Sequence, residues 1–95
     1  MNTKELSGVG RAYLRLEARE AMIGVETQTG VRLAEYKVAD LPKRHAPGRD
    51  VAESAAAAEF EKVMREGGTP LGVLSLVSHR EGYKQALEDY EAYYE

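Results

Sequence analysis

The segment from Asp40 to Gly48 constrains the fold most, because two of the three prolines of the chain lie within it. Two prolines followed by a glycine can continue neither a helix nor a strand. Before this segment the sequence contains β-rich runs, and after it apolar residues recur at helical spacing. We therefore predict a linker over 39–49, inside a single domain that spans 1–95.

The N-terminal part of the chain fits more than one structure. Residues 1–10 are polar and contain two glycines, which predicts a loose N-terminus. Residues 11–22 hold apolar residues both in alternation, as in a strand, and at helical spacing. We favour a helix over 11–22, because strong helix formers fill it. The alternative is a long first strand with a bulge near Arg19.

A β-hairpin is predicted next. Two runs rich in strand-forming residues, 23–27 and 31–38, flank the short loop that ends at Gly30. A loop of this length with a glycine suits a hairpin turn that needs a positive φ. Neither face of the second run is wholly apolar, which is typical of an edge strand.

The second part follows helical patterns, with one exception. Asp50 and Glu53 form a predicted capping box for a helix over 51–66, which Gly67 and Gly68 end. The run 71–77 is apolar at both parities, which predicts a buried central strand. Ser78 is then expected to cap a last helix whose packing stripe holds Tyr83, Ala86, Leu87, Tyr90 and Tyr94.

These elements predict an α+β fold. We expect a small mixed or antiparallel sheet of three to four strands, with two or three helices packed on one face. Only nineteen residues are Leu, Val, Ile or Phe. Such a thin core leaves little margin of stability and favours a surface for self-association or for a partner.

The sequence gives no sign of catalysis, of a cofactor or of a metal site. The absence of cysteine excludes disulfides, thiol chemistry and thiolate zinc sites. His45 and His79 match no metal-ligand spacing, and Ser78 lacks a nucleophile-elbow motif. We therefore predict a non-enzymatic protein. The N-terminus has no signal-peptide pattern and no segment is long enough to span a membrane, so a cytoplasmic protein is expected.

A basic loop is the first candidate site. Four cationic or near-cationic side chains follow each other closely, and we expect them to bind an anion: Lys43, Arg44, His45 and Arg49. An alternative function, nucleic-acid binding, would use this loop together with the row Arg11, Arg15 and Arg19. The net charge of -3 disfavours this alternative. A small-ligand or transferase site near Ser78, His79 and Arg80 is a further alternative that only the predicted strand suggests.

The C-terminal segment is the second candidate site, because it combines tyrosines with acidic residues. Tyrosine offers a large rigid contact area and a polar tip, and acidic groups favour a basic partner. We predict that a partner binds here, through residues that occupy most of the segment: Tyr83, Glu88, Asp89, Tyr90, Glu91, Tyr93 and Tyr94.

These features together predict a small acidic protein that binds another protein or a nucleoprotein complex. Such a protein would regulate or inhibit its partner, and it could also form a homodimer through the tyrosine-bearing helix. In size and charge the chain is similar to inhibitors that phages and plasmids encode, anti-CRISPR proteins among them. The similarity is one of composition, since no motif matches such a family.

Overall fold

The computed structural model describes residues 2–94 and the side chains of residues 2–92. Four strands are followed by two helices. The strands are β1 (Asn2–Leu6), β2 (Gly10–Leu16), β3 (Glu20–Glu26) and β4 (Arg32–Asp40), and the helices are α1 (Arg49–Gly67) and α2 (Pro70–Tyr94).

The four strands form one antiparallel sheet in the order β1-β2-β3-β4. Each strand pairs with the next along the chain, so short turns are sufficient to connect them. The predicted α+β class and the antiparallel option with four strands are confirmed. The predicted hairpin is present as β3 and β4, and bulges shift its register at two places.

The N-terminal predictions were wrong. Where a loose N-terminus was expected, residues 2–6 form β1, which pairs along its whole length with β2. Residues 11–22 are not a helix but most of β2, a turn and the start of β3. The strand pattern prevails because Ala12 and Leu14 face the core while Arg11 and Arg15 bind carboxylates on the opposite face.

Helix α1 begins one residue before the predicted cap. Gly48, with a φ of 89°, is the N-cap, and no side chain caps the helix. Asp50 therefore lies inside the first turn, and Glu53 binds Arg49 instead of completing a capping box. The predicted end of the helix is confirmed. The Gly68 N–H donates to the Met64 carbonyl, and Gly68 has the positive φ that is common where a helix ends.

Residues 71–77 form the first turns of α2, so the predicted central strand was wrong. Pro70 occupies the first helical position, and the Thr69 hydroxyl accepts the Gly72 N–H at 3.0 Å as an N-cap does. Val73 and Val77, four residues apart, are both buried in the core. Ser78 is exposed inside the helix and caps nothing, and the ligand site suggested for the end of that strand loses its basis.

The core lies between one face of the sheet and both helices. Strand residues such as Leu14, Ile23 and Val25 pack with Val63 of α1 and Val77 of α2, and these five side chains are fully buried. The hydrophobic effect of this burial holds the helices on the sheet. The opposite face of the sheet, called the outer face below, carries Arg11, Tyr13, Arg15, Glu26 and Glu35.

Candidate interaction surface

Helix α2 consists of two parts with different surroundings. Residues 70–80, the inner half, include the buried Val73 and Val77 and pack against α1 and β4. Residues 81–92, the outer half, are exposed without exception. The outer half is therefore a helical segment of three turns that contributes nothing to the core.

Two polar residues fix the point at which the outer half begins. Arg80 donates to the Tyr36 hydroxyl and to the carboxylates of Glu59 and Glu66, each at 3.0 Å. The next residue, Glu81, accepts the backbone N–H of Glu35 at 2.8 Å. Because β4 is an edge strand, this N–H has no strand partner, and Glu81 satisfies it.

An apolar stripe runs along the outer half. Tyr83, Leu87 and Tyr90 are spaced by four and then three residues, so they share one side of the helix. Their exposed fractions are 64%, 43% and 61%. Three large side chains with this exposure form an apolar surface on the outer half.

Acidic residues occupy other sides of the same segment. The outer half contains Glu81, Glu88, Asp89 and Glu91 against one cation, Lys84. Glu88 is close enough to Lys37 to contribute to the raised pKa of that amine, although Asp40 is the main cause. An excess of negative charge on an exposed helix attracts a basic surface.

The predicted partner-binding residues are brought together by this helix. Tyr83, Glu88, Asp89, Tyr90 and Glu91 all lie on the outer half. The side chains of Tyr93 and Tyr94 lie outside the described part of the structure. The predicted packing stripe was wrong for every member whose side chain the structure describes, since these four residues are exposed: Tyr83, Ala86, Leu87 and Tyr90.

Three of the predicted anion-binding residues, Arg44, His45 and Arg49, line one depression. Lys43, Arg44 and His45 are exposed on the connection between β4 and α1. Arg49 is buried and binds the carbonyls of Ala18, Pro42 and Glu17 at 2.7–3.0 Å, which joins three segments of backbone. Because the Arg49 N–H groups bind backbone carbonyls within the fold, the loop retains Lys43, Arg44 and His45 as candidate anion-binding groups.

The outer face carries a polar cluster that the sequence analysis did not identify. Tyr13 and Glu35 stand on either side of Gly24 in one row across β2, β3 and β4. Because Gly24 has no side chain, the Tyr13 ring lies across it and the hydroxyl donates to the Glu35 carboxylate. The row depends on strand register, which no spacing in the sequence reveals.

Arginines complete this cluster. Arg15 binds Glu35 at 2.8 Å and Glu17 at 2.6 Å, and Arg32 approaches Glu35 at 3.4 Å. Burial and the adjacent Glu35 carboxylate raise the pKa of the Tyr13 hydroxyl above its ordinary value of 10.0. A depression of about 190 Å³ beside the cluster is lined by Tyr13, Arg15, Glu26, Gly30 and Arg32.

The described residues offer no group of His, Asp or Glu side chains that could hold a metal ion. Neither helix of the described structure has the length and apolar character needed to cross a membrane. Comparisons with protein-family models, with curated protein sequences and with solved structures found no match.

Proposed function

We propose that this chain is a non-enzymatic module that binds a partner protein through the outer half of α2. The exposure of every residue from 81 to 92 carries the proposal. Because its residues are exposed, this helical segment gains little stability from hydrophobic burial within the described part of the chain. A bound protein that packs against this segment would supply further contacts, as in other complexes in which a helix lies in a groove.

The chemistry of the segment defines the kind of partner. Glu88 and Asp89 would steer it toward a surface rich in Lys and Arg. Proteins that bind nucleic acids have such surfaces. We infer that the chain is a small acidic regulator or inhibitor of a protein or nucleoprotein complex.

Nucleic-acid binding by the chain itself is less well supported. Arg11 and Arg15 share the outer face with Tyr13, but carboxylates neutralise both guanidinium groups at 2.6–2.8 Å. Arg49 is buried. Of the six Lys and Arg side chains named for this alternative, Arg19, Lys43 and Arg44 are the exposed ones without a carboxylate partner among the described residues, which leaves three for phosphate contacts.

The experiment that tests the proposal reverses charge on the outer half. The partner is first identified by cross-linking in the source cells, and its affinity for the purified chain is then measured. We expect the double variant Glu88→Lys/Asp89→Lys to bind at least about tenfold more weakly, because a basic partner would meet like charge. The control variant Asp50→Lys/Glu61→Lys changes the net charge equally on exposed positions of α1. Equal losses in both variants, or none in either, would contradict the proposal.

A further inference from the structure

We propose that the apolar stripe of the outer half is covered by a second copy of this chain, with the two outer halves antiparallel. This inference rests on the proposed function, because it takes the outer half to be a binding surface and assigns its apolar side to one occupant. The acidic side would remain for the basic partner.

The spacing of the stripe fits a helix pair. Tyr83, Leu87 and Tyr90 follow the alternating intervals of four and three residues that bring side chains to the seam between two packed helices. All three are between 43% and 64% exposed, so each has area left to bury. A second outer half would give each stripe a surface of the same shape and chemistry.

Charge complementarity selects the antiparallel arrangement. Lys84 and Glu91 are seven residues apart, so both lie on the same flank of the stripe. When two such helices run antiparallel around Leu87, equal flanks face each other. Lys84 of each copy then meets Glu91 of the other, which gives two ion pairs related by two-fold symmetry. In a parallel pair the flank with Lys84 and Glu91 would face Ala86 and His79 of the second copy. Neither of these residues has a carboxylate that could bind Lys84.

The same arrangement keeps the other acidic residues outside the seam. Glu88 and Asp89 lie more than a quarter turn from the stripe on opposite sides, as the helical repeat of about 3.6 residues requires. They would remain exposed in the pair. Two copies would then present two acidic surfaces to one basic partner, and binding at both would raise the overall affinity.

The small size of the stripe predicts a weak dimer. Two partly exposed tyrosines and one leucine can bury only a few hundred Å² per copy, roughly half of a standard interface. The dimer should therefore form in a concentration-dependent way, and its stability should respond to single charges at the seam.

The test is sedimentation equilibrium of the full chain over a wide concentration range, for four proteins. We expect the wild type to dimerise, and we expect Lys84→Glu and Glu91→Lys each to weaken association about tenfold by placing like charges opposite each other. The double variant Lys84→Glu/Glu91→Lys restores the opposite charges and should recover association. Circular dichroism of each variant verifies that it is folded.

Two results would overturn the inference: a wild type that stays monomeric at every concentration, and a double variant that associates no better than the single ones. Neither result bears on the proposed function, which is tested separately at Glu88 and Asp89. Conversely, the dimer could behave as expected while Glu88→Lys/Asp89→Lys binds the partner normally. That pair of results would support the seam and refute the partner surface.

Discussion

Gly24 shows how a missing side chain determines the outer face. A Cβ atom at this position would lie 2.3 Å from the Tyr13 hydroxyl and 2.4 Å from the ring carbon that carries it. Tyr13 could then no longer cross the strand to reach Glu35, whose side chain is only 6% exposed. A buried carboxylate that loses a donor is costly to the folded state.

We therefore expect Gly24→Ala to lower the free energy of unfolding by about 1–3 kcal/mol. The matched control is Gly82→Ala, since Gly82 lies inside α2 with open space where the Cβ would be. There, alanine should stabilise the protein by about 0.5–1 kcal/mol, because it favours the helix. Urea denaturation measures both values, and a stabilising effect at Gly24 would contradict this account of the outer face.

The raised pKa of Tyr13 predicts a loss of stability in alkali. The folded state holds the hydroxyl proton more tightly than the unfolded chain, whose tyrosines titrate near the ordinary value of 10.0. The contribution of this hydroxyl to the free energy of unfolding is therefore fully present below pH 10. Above pH 10 the free energy of unfolding falls, by up to about 1.4 kcal/mol per pH unit for one group. Burial also raises the pKa of Tyr36, so this residue adds to the same loss of stability in alkali.

The measurement is the free energy of unfolding between neutral pH and strong alkali for the wild type and for Tyr13→Phe. The variant should show a shallower fall above pH 10, because one of the two buried hydroxyls has been removed. The slope is compared rather than the absolute stability, since Tyr13→Phe also removes a donor from Glu35. Identical slopes would mean that the Tyr13 proton is no more tightly held in the folded state.

Among the elements, α2 shows where local pattern misleads. The run 71–77 is apolar at odd and even positions alike. This pattern fits a buried strand as well as it fits the start of a helix. The decisive signals were Thr69 and Pro70, an N-cap residue followed by a residue favoured at the first helical position. The helix stop at Gly67 and Gly68 is the part of this boundary that the sequence predicts correctly.

The position of the N-cap can be tested by two substitutions in α2. Thr69→Ala should lower the free energy of unfolding by about 1 kcal/mol, because the Gly72 N–H loses its acceptor. Ser78→Ala should change it by less than about 0.5 kcal/mol, since Ser78 is exposed within the helix. Thermal or urea unfolding of both variants provides the comparison. The reverse order of effects would place the start of the helix at Ser78.

The strand elements were predictable only in part. The hairpin of β3 and β4 followed from the glycine loop and its flanking β-rich runs. The pairing of β1 with β2 did not, because a polar edge strand such as Asn2–Leu6 has no hydrophobic alternation and gains its hydrogen bonds only from the neighbour. Its stability belongs to the sheet rather than to the local sequence.

For the molecule as a whole, the α+β class was predictable, but the surroundings of the C-terminal helix were not. The sequence predicts a packing stripe with Tyr83, Leu87 and Tyr90, and all three are exposed. The outer face was missed because Tyr13, Gly24 and Glu35 meet only through strand register. Arg49 was misjudged for a similar reason, since its carbonyl partners come from distant segments.

We propose that this protein binds its partner through the outer half of α2. Site-specific photo-cross-linking tests this proposal, with a photoreactive phenylalanine analogue in place of Tyr83 and, as the control, of Val51. Both positions are well exposed, at 64% and 73%, but Val51 lies on α1. In a lysate of the source cells the Tyr83 probe should give defined cross-linked products, which mass spectrometry assigns to a basic partner or to a second copy. Defined products from Val51 and none from Tyr83 would contradict the account.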